Sequence, residues 1–235
     1  MDNEILKDEA FFFDFHVHSI YSNDSILKPE TIIQYSKKKG LSGVAISDHN
    51  TIIGAEKTKS ISNKDFLVIM AAEIETEICE IIGLFLNEEV KSNKFYEVID
   101  EIKDQDGMII LPHPFKNSIL NPELIIKEID LIEGLNARIK PELNYKARIL
   151  AEKFDIPTIA GSDAHTSFEI GTVQNKLPIN ELNIEEIRTV LLKGLTVCSG
   201  MESPGYIRML SHAIGRYKRG GVFGIMNSIY NKIGK

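Results

Sequence analysis

The sequence predicts an α/β fold: a parallel sheet closed into a seven-stranded barrel, helices outside, and its chemistry gathered where the strands end. Three observations predict it. Apolar runs of strand length alternate with helix-length segments in about seven units, each of roughly 25–35 residues. Polar clusters close almost every strand. Five of the six histidines fall in those clusters. Seven short parallel strands favour a closed barrel over an open sheet.

The elements follow in order. Phe11–Val17 is aromatic and β-branched and reads as a buried strand. Pro29 at a first-turn position opens a helix that runs through Thr31 to Lys39 and stops at Gly40. Gly43–Ser47 and Phe66–Ala71 are the second and third strands. Ile78–Leu86 is another, paired with the segment around Glu73–Glu77. Residues 93–105 read as a helix, with Phe95, Val98, Ile99 and Ile102 at helical spacing. Met108–Leu111 is a strand stopped by Pro112 and Pro114. A helix starts at Pro122 after an Asn121 cap. Leu131–Leu135 is a strand, Glu142–Phe154 a helix and Pro157–Gly161 a strand. Ile184–Leu192 is a helix capped by Asn183. No Gly/Ser-rich linker interrupts the chain, so residues 1–202 read as one domain. Residues 203–235 form a basic extension, helical and packed on the barrel, in which Gly220 and Gly221 separate two short helices.

Composition narrows the class. The 235 residues are 43% hydrophobic and 26% charged, which excludes a disordered, collagenous or coiled-coil chain. Net charge is −7, unevenly spread: residues 203–235 hold six basic residues and no acid, so residues 1–202 carry −13. An acidic body argues against coating nucleic acid, while the tail leaves room for local anion binding. The two cysteines, Cys79 and Cys198, make neither a disulfide framework nor a zinc ribbon and suit a reducing cytoplasm. The N-terminus has no signal-peptide pattern, and no apolar run is long enough to span a bilayer, so no membrane partner is expected. Oligomeric state is not legible.

The chemistry sits after the strands. His16 and His18 are two apart, which on a strand puts both imidazoles on one face. Asp163 and His165 repeat the spacing. Asp24, His49, Glu73 and His113 complete a set of five imidazoles and three carboxylates. A lone histidine after a strand is usually a loop residue, but five of six at or near strand ends form a ligand inventory. Imidazole with carboxylate suits zinc, manganese or iron. Eight ligands are too many for one tetrahedral ion and fit two or three ions sharing a bridging carboxylate. His212, in the basic tail, reads as structural or solvent-facing.

Five pieces in this order, DFHVHSIYSNDS (14–25), GVAISDHNT (43–51), AAEIE (71–75), LPHP (111–114) and GSDAH (161–165), resemble the PHP (polymerase and histidinol phosphatase) superfamily of metal-dependent phosphoesterases. The resemblance covers about residues 11–200. It implies a distorted seven-stranded β/α, TIM-like barrel with up to three metal ions at the strand C-termini. It implies His16, His18, Glu73 and Asp163 at a first metal. Glu73 would bridge to a second with His113, and Asp24, His49 and His165 would form a third. Many relatives carry a histidine before the Ile-x-Gly-Leu segment; here Glu80 stands there, a harder ligand.

The expected reaction is hydrolysis of a phosphate ester by metal-activated water. Asp163 would orient the water and Asp48 would hold His49. Arg138 would clamp phosphate, with Asn136 and Lys116 beside it. A small phosphomonoester, a nucleotide or a short oligonucleotide end suits the site. Two other readings stand beside this one. The first is a metal-binding regulatory domain with little catalysis, the second a metal-dependent amidohydrolase. No GxSxG elbow, Walker loop or GxGxxG competes.

Overall fold

A computed structural model describes residues 10–116 and 121–233, with side chains through residue 221. Nine strands form one sheet in the order β7-β6-β5-β4-β3-β2-β1-β8-β9. They are β1 Phe11–Val17, β2 Gly43–His49, β3 Leu67–Glu75, β4 Glu80–Leu84, β5 Met108–Leu111, β6 Leu131–Asn136, β7 Thr158–Gly161, β8 Val173–Leu177 and β9 Val197–Gly200. The helices are α1 Pro29–Lys38, α2 Ile53–Ile61, α3 Phe95–Asp104, α4 Pro141–Phe154, α5 Ile184–Leu192 and α6 Gly205–Ile233.

The sheet curls into a nearly closed, TIM-like barrel. The end of β1 meets the segment just after β7 through a parallel bridge between Val17 and Ala164. Asn175 of β8 ties the seam: its amide donates to the carbonyls of Phe13 and Ala160 at 3.0 and 2.7 Å and accepts from Ala160 N at 2.8 Å. A side chain thus supplies the hydrogen bonds that a continuous ladder would make.

Three expectations need correction. The strands number nine rather than seven, because β8 and β9 add an antiparallel pair beside β1. The sheet is not wholly parallel, since β4 runs antiparallel to both β3 and β5. The reason is connection length. Residues 76–79 make a hairpin, whereas a parallel crossover needs about a dozen residues. The segment from Pro122 forms two 3₁₀ turns, Pro122–Leu124 and Ile126–Glu128, in place of a helix, although Asn121 does accept from Glu123 N. The sequence reading also left out α2.

Side-chain parity sorts the core. Phe13, Phe15, Ala45, Ile69, Ala71, Ile82, Leu84, Met108, Ile110, Leu131 and Ile159 fill the barrel, and Ile187, Val190 and Leu191 of α5 pack against them. On the opposite strand faces, Phe95, Val98, Ile99 and Ile102 of α3 and Ala147, Leu150 and Ala151 of α4 cover one side. Ile32 of α1 and Ala55 of α2 cover the other. Each large side chain buried this way contributes about 1.5–3 kcal/mol. Asn183 caps α5 by accepting from Glu185 N and Glu186 N. In α6 the backbone leaves helical geometry at Gly220 and Gly221, where the sequence placed a break; Gly221 has φ +58°. Among the described residues no helix is long and apolar enough to cross a membrane.

Candidate metal centre

The inward parity of each strand delivers its polar residue to the same end of the barrel. Ile69 and Ala71 lead to Glu73 on β3, and Ala45 and Ser47 lead to His49 on β2; His49 and Glu73 are register partners. Leu131 leads to Glu133 on β6. β4 is reversed, so its first residue, Glu80, arrives at that same end and pairs with Glu75. On β1 the register shifts between Asp14 and Val17, which turns the strand so that His16 and His18 follow the apolar Phe13 and Phe15 into the site. A second shift in β6, between Glu133 and Leu135, puts Glu133 and Asn136 within reach of one another.

Glu73 is the hub. Its Oε2 lies 3.3 Å from His18 Nε2, 3.3 Å from His49 Nδ1 and 3.5 Å from His16 Nε2. Its Oε1 is 2.9 Å from His113 Nε2. His16 Nε2 and His18 Nε2 are 3.0 Å apart, and Asp163 Oδ1 is 3.6 Å from His18 Nε2. On the other side Asp24 Oδ2 lies 3.2 Å from His165 Nε2 and 3.6 Å from His49 Nε2. Glu80 Oε2 is 3.7 Å from His113 Nδ1. The nine residues expected as ligands therefore gather in one continuous cluster.

The donor set fits divalent ions. Ligand atoms around an ion with bonds of about 2.1 Å sit roughly 3–3.5 Å from one another, and most of these separations fall there. The longer ones, at 3.3–3.7 Å, exceed the usual hydrogen-bond range. Asp24 Oδ1 is buried and has no hydrogen-bond partner among the described residues, an arrangement that costs free energy unless a cation faces it. Four groups bring ligand atoms within 4.8 Å of each other: His18–His49–His165, His16–His113–Glu133, His16–His18–Glu73 and Glu73–Glu80–His113.

Burial and charge oppose each other throughout. Burial favours a neutral Glu73, but His16 and His113 hold it well below the usual carboxylate range. Asp163 is likewise lowered, against its burial, by Arg138 and His16, and Asp24 by His165 and His49. Burial pulls His16 down, but Glu133, Glu73 and Asp163 lift it well above the usual imidazole value. His18 goes well below it through burial and the nearby His165 and His49. His49 is lifted to about 9, burial notwithstanding, by Asp24 and Glu73.

Several residues orient this set, and the sequence reading passed over three of them. Glu133, fully buried, accepts from His16 Nδ1 at 2.9 Å, from His113 N and from Asn136 Nδ2. That bond leaves His16 Nε2 to face Glu73. Glu169 accepts from His165 N, Thr166 N and the Thr166 hydroxyl. Asp14 accepts from Ser162 N, Gly171 N and His16 N, and burial pushes its carboxyl up to about 6. A charged residue inside an apolar strand was the signal for Glu133 and Asp14. Gly161 is required between these groups: a Cβ there would lie 2.2 Å from Glu133 Oε1 and 2.4 Å from His16 Cβ. Asp163 itself has φ +52°, a left-handed position that aims its carboxylate into the cluster.

The remaining expected residues divide. Asp48 accepts from Ser19 N, the Ser19 hydroxyl and the Ser22 hydroxyl, at 2.6, 2.5 and 2.9 Å. The Ser22 oxygen in turn takes His18 Nδ1 at 3.1 Å. Asp48 therefore anchors the loop after β1, while the His49 ring faces Asp24 and Glu73. Arg138 Nη1 lies 3.3 Å from Asp163 Oδ1 and hydrogen bonds to His165 Nδ1. Asn136 is fully buried and spends its amide on Glu133, Asp163 Oδ2 and Arg138 N. Lys116 reaches the opposite rim, 3.3 Å from His113 Nε2 and 3.7 Å from Glu80 Oε2. His212 is exposed on α6.

Comparison with known proteins agrees with this geometry. A profile of the PHP domain matches residues 14–155, and one described as PHP-associated matches residues 141–196. The chain belongs to the PHP family. It is 36% identical over 184 residues to an uncharacterised protein of Methanocaldococcus jannaschii, covering 74% of this chain and 72% of that protein. Among solved structures, a two-domain protein from Bacteroides vulgatus containing a predicted PHP-like metal-dependent phosphoesterase superposes with TM-score 0.72. Identity is 18%, and the match covers 83% of this chain and 66% of that one. Endonuclease Q in complex with a 27-mer duplex bearing an abasic lesion superposes with TM-score 0.64 at 19% identity, covering 82% and 60%.

Proposed function

We propose that this PHP protein is a metal-dependent phosphoesterase. The observation that carries the reading is Glu73: one buried carboxylate faced by His16, His18, His49 and His113 at 2.9–3.5 Å. Membership of the PHP family supports it, as do neighbours described as a metal-dependent phosphoesterase and an endonuclease. Two or three divalent ions, zinc, manganese or iron, are the implied cofactors. His16, His18, Glu73 and Asp163 would hold one, Glu73, Glu80 and His113 another, and Asp24, His49 and His165 a third. Such ions neutralise phosphate oxygens and lower the pKa of water.

The chain's own residues do the rest. Asp163, between His18 and Arg138, orients the attacking water. Arg138 offers its guanidinium to a phosphate oxygen, held for that task by Asp163 and Glu169. Lys116 stays charged, since Asp163, Glu73 and Glu80 outweigh its burial and raise its pKa, and it brings positive charge to the other rim. Glu133 and Asn136 keep His16 and Asp163 in orientation. Asp48 fixes the loop that carries Asp24. The substrate is a small phosphomonoester, a nucleotide or a short oligonucleotide end, met by a barrel of residues 1–202 with 203–235 as an added helix. With two free cysteines, Cys79 and Cys198, the home is the reducing cytoplasm. No membrane partner enters the reading.

A screen of phosphomonoesters, phosphodiesters and nucleotides with added manganese or zinc tests it. Turnover that a chelator removes is the expected result.

A second reading, metal binding with little catalysis, draws on Lys116. Its ammonium stands beside Glu73, Glu80 and His113, where a second ion would bind. Metal retained with no turnover of any ester would favour that reading.

A further inference from the structure

Helix α6 lies beyond both family matches, and its basic residues have no part in the reaction described above. It packs against two loops that carry site residues. At one end Arg208 Nη1 donates to Ile139 O at 3.1 Å, just after Arg138. Ten residues on, about 15 Å along a helix, Lys218 Nζ donates to three carbonyls: Ile20 and Ser22 at 2.5 Å and Ser25 at 2.7 Å. These belong to the loop after β1 that bears Asp24. Arg219 Nη1 is 3.4 Å from both Asp24 Oδ2 and Asn23 Oδ1. Between them Gly215 is buried, and a Cβ there would lie 3.0 Å from Asp24 Cβ and 3.2 Å from Asp24 O. A larger side chain there would push the helix off the loop.

We propose that Lys218 is a positioning residue: from α6 it fixes the loop bearing Asp24, with Gly215 permitting the approach and Arg219 facing the carboxylate. An ammonium surrounded by three carbonyl oxygens makes charge-assisted bonds to backbone that has no ladder of its own there. The loop's place decides where Asp24 stands relative to His49 and His165. The charge pattern agrees, since Arg208, Lys218 and Arg219 lie against a body whose residues 1–202 carry −13. The effect on metal affinity rests on the reading of Asp24, His49 and His165 as a metal site; the effect on the loop does not.

The test uses the full chain and three variants: Lys218→Met, Lys218→Arg as the conservative rescue, and Gly215→Val, which keeps every cation and wedges the helix away. Amide hydrogen exchange over residues 19–26 is measured in metal-free protein, and manganese and zinc are titrated into each variant. Faster exchange in Lys218→Met and Gly215→Val is expected, with partial recovery in Lys218→Arg. One class of bound ion should weaken about tenfold or more, as when a ligand loses its support, while the others hold. Unchanged loop exchange in both Lys218→Met and Gly215→Val overturns the proposal. Faster exchange with no ion bound by the wild type upholds the tether and overturns the metal reading instead. Faster exchange with every ion affinity unchanged overturns the link between the tether and Asp24.

Discussion

At the residue scale the candidate site is mostly a matter of spacing. His16 and His18, or Asp163 and His165, are legible because a period of two puts neighbours on one side of a strand. Glu133 escaped notice because its strand reads as apolar, although the parity that buries Leu131 also turns Glu133 inward, against His16. Glu133→Gln removes the charge and keeps the volume. Metal affinity by chelator competition should then fall about 10–100-fold; unchanged affinity would take Glu133 out of the site. The cysteines make the opposite case, chemistry that is absent. Burial, with Glu80 and Glu77 nearby, pushes the Cys79 thiol up to about 12, and burial pushes Cys198 up to about 11. A raised thiol pKa means less thiolate at a given pH. At pH 8 the thiolate fraction is roughly one in ten thousand for Cys79 and one in a thousand for Cys198. Alkylation by iodoacetamide should be far slower than for a free thiol.

At the scale of elements, the long strands and helices were legible from periodicity, and β5 and α5 have the bounds the sequence suggests. The direction of β4 was not read, because an apolar strand looks the same in either direction; only the four residues of its connection distinguish a hairpin from a crossover. β8 and β9 were missed for another reason. β8 alternates buried with less buried positions over a short run, and β9 is largely exposed. Yet β8 holds the seam through Asn175. Asn175→Leu would leave Ala160 N–H and the carbonyls of Ala160 and Phe13 without that partner. Stability should fall by about 2–4 kcal/mol and the thermal midpoint by about 5–15 °C, as calorimetry can check. A midpoint within a degree of the wild type would mean the barrel closes without it.

For the whole molecule, one design principle unites the parts: an apolar barrel carries a dense set of like and unlike charges at one end. Five histidines and four carboxylates gathered there are costly to leave without cations, so the proposed metals would be linked to the fold. Chelation should lower the thermal midpoint. Restoring an ion at a hundred times its Kd should recover about 2.7 kcal/mol per site. The basic tail, unexplained by the motifs, is the part of the chain that sequence left open, because the partners of Arg208 and Lys218 are backbone carbonyls with no residue signature. The measurement that tests the central claim most directly is phosphate-ester turnover against equivalents of added manganese or zinc, run on chelated wild type and on His16→Ala/His18→Ala. Turnover that rises with bound metal and vanishes in the double variant is the predicted result. Equal turnover in the chelated protein or in the double variant would contradict it.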